Sequence, residues 1–133
     1  MTEKLMTIRE MCDAFEVTPR TLSFYEAKEL LFPIREGQKR LFTHRDRARL
    51  KLILRGKRFG FSLEDIRQLL ELYKSGGEQV TQLEKTYEVA QQRMDELVRQ
   101  RQELDAAIAD LAEQMKWGER MIASMKQTRA AAE

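Results

Sequence analysis

Hydrophobic positions along this chain follow two regimes. Over residues 1–77 they come in short clusters between helix-start and turn signals, and from residue 79 onward they settle into one strict spacing. Val80, Leu83, Tyr87, Ala90, Met94, Leu97, Arg101, Leu104, Ile108, Leu111 and Met115 succeed one another at intervals of three and four, the a and d positions of about five heptads. Only Arg101 breaks the apolar character; a lone charge there either fixes register at a cost in stability or, on its long stem, reaches the edge of the seam. A helix over 79–115 would be about 55 Å long at ~1.5 Å per residue. The small domain before it cannot bury so long a stripe, so the chain is expected to pair with a second copy. Past the seam, Trp117-Gly118 predicts a bend, followed by a short amphipathic turn carrying Met121, Ile122 and Met125.

In the first 77 residues the helix starts are legible as caps. Thr7-Ile8-Arg9-Glu10 is a capping box that opens a helix over Ile8 to Phe15, with Met6 and Met11 able to staple across it. Val17-Thr18-Pro19 repeats the device, with Thr18 as cap and Pro19 at the first helical position, and the second helix carries RTLSFYEAKEL. Two short helices so joined form a helix-turn-helix. LFPIREGQKRLFT, punctuated by Pro33 and Gly37, predicts a small hairpin or wing closed around Glu36 to Lys39. Thr43 caps a third helix with Asp46 at its third position, an inward face of Ala48, Leu50, Leu52, Ile53 and Leu54, and Gly60 as its stop. Ser62 opens a fourth, with Ile66, Leu69, Leu70 and Tyr73 on one side, and Ser75-Gly76-Gly77 ends it. The expected organisation is a mainly α chain: a winged helix-turn-helix domain over 1–77, a coiled-coil dimerisation helix over 78–115 and a short C-terminal segment over 116–133.

Charge sharpens the division. Residues 1–77 hold 16 Lys+Arg against 11 Asp+Glu, a net of +5, whereas 78–133 hold 8 against 11, a net of −3. Within 35–58 there are 10 basic and 2 acidic residues, a net of +8 that calls for a polyanion or for solvent screening. The second helix has the length and exposed face to enter a major groove, flanked by the basic wing and third helix. No apolar run approaches the ~18 residues of a membrane helix, and MTEKLMTIRE has no export-signal core, so a cytoplasmic protein without membrane contact is expected. Cys12 is the single cysteine, which rules out an internal disulfide or a thiolate cluster within one chain.

The order T-I-R-E-M-C, V-T-P-R-T-L-S-F-Y-E, L-L-F-P-I-R, G-Q-K-R-L-F and G-F-S-L-E-D-I-R-Q-L-L resembles the MerR family of bacterial transcription regulators over about residues 7–73. The resemblance implies a winged DNA-binding domain, a homodimer built on an antiparallel coiled coil, and a variable C-terminal segment that senses an effector. It further implies binding to double-stranded promoter DNA over an overlong spacer, which the active form bends and untwists so that RNA polymerase meets both promoter elements. Carried over by position, it assigns groove or phosphate contacts to Thr18, Arg20, Ser23 and Tyr25 on the second helix. Arg35, Lys39 and Arg40 follow on the wing, and Lys57 or Arg58 at the end of the third helix. The dimer interface would be Val80, Leu83, Tyr87, Met94, Leu97, Leu104, Ile108 and Leu111.

Two positions depart from the pattern: Ser23 stands where the family usually has arginine, and Glu29 where many relatives have glycine. Serine there predicts weaker, less salt-dependent DNA binding than an arginine-bearing relative. The cysteines of the family's metal sensors are missing from 79–133, so neither a metal nor another cofactor is expected, and an effector would be a small molecule of unidentified chemistry. An enzyme is not expected, since no nucleophile–base–acid, phosphate-loop or metal pattern occurs. The alternative, an architectural or excisionase-like accessory DNA binder, would have no need of the long heptad helix.

Overall fold

A computed structural model describes residues 4–74 and 80–132, without the side chains of 73 and 74. Its elements run α1 (Ile8–Phe15), α2 (Pro19–Ala27), β1 (Ile34–Glu36), β2 (Lys39–Leu41), α3 (His44–Phe59), α4 (Leu63–Lys74) and α5 (Val80–Ala132). The Tyr73 side chain and the Ser75-Gly76-Gly77 stop fall outside the described residues. By packing, the chain divides into two units, Met1–Ala90 and Gln91–Glu133.

The starts of α1 to α4 form as local chemistry dictates. Thr7 and Glu10 close a reciprocal box, the Glu10 amide donating to Thr7 Oγ1 at 3.2 Å and the Thr7 amide to Glu10 Oε1 at 3.1 Å. Thr18 Oγ1 accepts from the Thr21 amide at 3.2 Å, with Pro19 in the first turn. Thr43 and Asp46 make the second box, and Ser62 Oγ accepts from the Asp65 amide at 3.1 Å. Gly60 ends α3 in the left-handed region at φ 84°.

The wing is a two-residue antiparallel hairpin with Ile34 opposite Leu41, Arg35 opposite Arg40 and Glu36 opposite Lys39. Gly37, the first loop residue, takes φ 62°, the positive value that a tight hairpin of this length needs. Met6 pairs with Phe42 at the wing's return, the two amides donating to the opposite carbonyls at 3.0 and 2.8 Å. Asp46, only 2% exposed, closes the base of the hairpin: its Oδ1 accepts from the Phe32 amide at 2.9 Å and its Oδ2 from the Thr43 amide at 3.2 Å.

The core of this unit gathers Met11, Leu22, Tyr25, Leu30, Leu31, Phe42, Leu50, Ile53, Ile66 and Leu70. On α3, Leu50 and Ile53 are buried and Leu52 and Leu54 pack against the core as expected, whereas Ala48 faces solvent and Asp46 and Gly56 join the buried face. Gly56 is buried because α4 comes so close that an added Cβ would sit 2.8 Å from Ile66 Cγ1. The end of α2 closes with Glu29 at φ 59°, a left-handed residue that is not glycine.

The expected bend at Gly118 does not occur. Helix α5 is continuous through Trp117 and Gly118 to Ala132, because one glycine costs a helix only about 1 kcal/mol and strong helix formers flank it. Along α5, Val80, Leu83, Tyr87, Met94, Leu104, Ile108 and Leu111 are exposed and Leu97 is half-buried.

Candidate nucleic-acid interface

The residues singled out for DNA contact fall into two groups around α2. Thr18, Arg20, Tyr25 and Lys57 line one hollow of about 370 Å³, together with Thr21, Phe24, Phe61, Leu63 and Ile66. The N-terminus of α2 and the C-terminal turn of α3 meet there, so two cations and two hydroxyls (Thr18 and Thr21, whose oxygens lie 2.9 Å apart) converge. Two cationic side chains beside two hydroxyls are a set of groups chemically suited to a backbone phosphate. Arg20 and Lys57 are exposed; Arg58 is exposed too, but does not line the hollow.

Tyr25 is not the exposed aromatic of this surface. It is 3% exposed and part of the core, and burial pushes its hydroxyl above the ordinary tyrosine value. The neighbouring Phe24 is 45% exposed, sets its ring edge-on to Tyr25 at 5.5 Å, and has Lys28 over its face at 5.7 Å. The aromatic that α2 presents to the outside therefore carries no hydroxyl.

The second group joins α2 to the wing. Ser23 is half-buried and accepts a hydrogen bond from Arg40 Nη1 at 2.9 Å. One turn on, Glu26 Oε1 meets Arg35 Nη2 at 2.7 Å and Glu26 Oε2 meets Arg40 Nε at 3.1 Å. Ser23 thus holds a wing arginine instead of standing free beside Arg20. Lys39 is exposed opposite Glu36 in the hairpin register. Glu26, Thr21 and Phe24 have no counterpart among the residues expected from sequence. The clue for Glu26 was its i+3 spacing from Ser23, which puts both on one face of α2.

Arg47 and Arg49 of the basic stretch, and Arg67 beyond it, serve the fold. Arg49 Nε donates to the Leu30 carbonyl at 2.7 Å and its guanidinium stacks 5.3 Å from the Phe32 ring, while Arg67 Nη2 donates to the Lys28 carbonyl at 2.8 Å. These two arginines satisfy carbonyls just past α2. Burial, and then the nearby Arg45 charge, lower the Arg49 pKa. Arg47 Nη1 donates to the Lys4 carbonyl at 2.9 Å. Cys12 is half-buried on α1, its thiol pushed up by burial and by Asp13. Among the described residues no group of three or more His, Cys, Asp and Glu side chains is placed to hold a metal ion, and no helix is long and apolar enough to cross a membrane.

Comparison with known proteins agrees with this geometry. A family model described as "MerR HTH family regulatory protein" matches residues 6–72, and one described as "MerR, DNA binding" matches residues 47–114. The chain is 37% identical over 106 residues to the HTH-type transcriptional regulator ZntR of Escherichia coli K12, spanning 78% of this chain and 69% of ZntR. Among solved structures it is similar to PbrR691 from Ralstonia metallidurans CH34 in complex with lead(II), at 31% identity and a TM-score of 0.53 over 74% of this chain and 82% of that one. It shares its fold with HiNmlR, a MerR family regulator lacking the sensor domain, bound to promoter DNA, at 24% identity and a TM-score of 0.61 over 77% and 80% of the two chains. With both family models matched and this identity to ZntR, the chain belongs to the MerR family of helix-turn-helix, DNA-binding transcription regulators.

Proposed function

We propose that the protein works as a homodimer that recognises a promoter spacer in double-stranded DNA and bends and untwists it, presenting the promoter to RNA polymerase. The observation that carries this reading is the apolar face of α5, left open to solvent at Val80, Leu83, Tyr87, Met94, Leu104, Ile108 and Leu111. Full burial of one such side chain is worth about 1.5–3 kcal/mol, so a second copy covering the face would stabilise the pair strongly. Because α5 has no break at Gly118, the spacing of three and four continues from Met115 to Gly118, Ile122 and Met125, which lengthens the proposed seam. Two copies so joined would present two α2 helices to successive major grooves, with the hollow around Arg20 and Lys57 on one flank and the wing on the other. Fixed phosphate contacts on both sides of a groove are what deforming a duplex requires.

Sedimentation of the purified chain and footprinting on genomic fragments it selects test the reading together. The expected result is a species of twice the subunit mass protecting one site with inverted half-sites, with a bend visible by circular permutation of that site. A single subunit at micromolar concentration, or no protected fragment at modest salt, would refute it. An accessory DNA binder of related fold would instead protect DNA outside a promoter spacer.

A further inference from the structure

Glu26 is an acid on the helix that meets a polyanion, and on charge alone it should weaken DNA binding. Its surroundings give it another role. Both carboxylate oxygens are taken by the wing, Oε1 by Arg35 and Oε2 by Arg40, and only 17% of the side chain is exposed. Arg35 and Arg40 face each other across the hairpin, where two like charges repel unless something neutralises them. Arg40 is the more committed of the two: its Nε goes to Glu26, its Nη1 to Ser23, and its side chain is 25% exposed. Arg35 gives only Nη2 to Glu26 and is 56% exposed, leaving Nε and Nη1 for another acceptor.

We propose that Ser23 and Glu26 are positioning residues that fasten Arg40 to α2 and so set the distance from recognition helix to wing, leaving Arg35 as the wing arginine that contacts phosphate. This rests on the reading that α2 and the wing engage DNA, and it divides two arginines that sequence alone treats as equivalent. It also gives the serine a purpose. An arginine at position 23 would bring a third guanidinium against Arg40 and Glu26, whereas the serine hydroxyl accepts from Arg40 without adding charge.

The test uses the full chain and 30-bp duplexes that the parent selects from a random-sequence library. Affinity is followed by anisotropy over a salt series, phosphate contacts by ethylation interference, and folding by thermal melting. Arg35→Ala should lower the salt slope by about one unit, whereas Arg40→Ala should weaken binding with a slope change of less than half that. Ser23→Ala leaves every charge in place, so its expected loss of about threefold to tenfold at constant slope, with weakened interference at the wing-side phosphate, reports position alone. Glu26→Gln should weaken binding by a similar factor; if it unfolds the chain, Ser23→Ala carries the same test. Tighter binding by Glu26→Gln, unchanged binding by Ser23→Ala, or equal slope losses for the two arginine variants would overturn the proposal. A parent that binds no duplex would overturn the underlying reading as well, an outcome distinct from altered variants of a parent that binds.

Discussion

Replacing Asp46 by alanine should cost the DNA-binding unit about 3 kcal/mol. The carboxylate is 2% exposed and accepts from the Phe32 amide at 2.9 Å, the Thr43 amide at 3.2 Å and the Thr43 hydroxyl at 3.2 Å. Alanine leaves two backbone donors without partners, at about 1–3 kcal/mol each where water cannot replace the acceptor. The cap on the Asp46 amide by Thr43 Oγ1 survives, so α3 itself should still form. For a domain of this size the loss corresponds to a fall in midpoint of roughly 15 °C. Urea unfolding at one fixed protein concentration is the assay, because association would otherwise shift the apparent stability. Asp46→Asn should cost about half as much, since it keeps one acceptor oxygen and sets an amide against a donor. Phe32 precedes β1 and Thr43 follows β2, so in Asp46→Ala the wing loses its anchor at both ends, and DNA affinity should fall even at temperatures where the unit stays folded. A loss below about 1 kcal/mol would refute the reasoning, since it would mean that water takes over the two donors.

Four further outcomes are expected. Gly56→Ala gains about 1 kcal/mol of helix propensity but drives a methyl group to 2.8 Å from Ile66 Cγ1, so urea unfolding should show net destabilisation of about 1 kcal/mol; a more stable variant would contradict the close α3–α4 packing. Glu29→Gly relieves a left-handed φ of 59° and should raise stability by about 1 kcal/mol, seen as a higher midpoint with unchanged slope. Glu10 is held below the ordinary carboxylate value by its bonds from the Thr7 amide and hydroxyl. Because its folded-state value lies below that of the unfolded chain, its contribution is complete above the unfolded carboxylate value and fades as pH falls through the folded one; the Thr7 amide shift in an NMR pH titration should follow this, and Glu10→Gln should abolish it. Gly118→Ala meets open space within one chain and should raise helicity, so a loss of dimer affinity in sedimentation would show that a partner side chain occupies that space.

What could be read from sequence follows the reach of the interactions. The four caps are side-chain-to-backbone bonds across three residues, and the types that make them announce the starts of α1 to α4, with glycine marking the α3 stop, whereas α2, expected to carry RTLSFYEAKEL, ends three residues earlier at Ala27. The pattern of α5 is equally plain because it is long. Bonds between distant residues were hidden: Asp46 to the Phe32 amide spans 14 positions and Arg40 to Ser23 spans 17. That Tyr25 is buried while it lines the hollow beside Arg20 and Lys57, and that the adjacent Phe24 is exposed, could not be read ahead, because α2, with nine residues and little amphipathic contrast, does not reveal which aromatic turns inward. Counting charges over 35–58 did not show which arginines also hold the fold, as Arg47 and Arg49 do by donating to backbone carbonyls. Gly118 misled because a glycine flanked by good helix formers weakens a helix without stopping it.

The fastening of the wing to α2 through Ser23 and Glu26 bears on attempts to retarget the protein. Transplanting an α2 without Ser23 and Glu26 onto this scaffold would strip Arg40 of its partners and leave the hairpin held only at its base, by Asp46 and the Met6–Phe42 pair, however well the new side chains matched their bases. Helix and hairpin would have to be exchanged as one cassette, residues 18–41, for the donor's operator preference to travel with them.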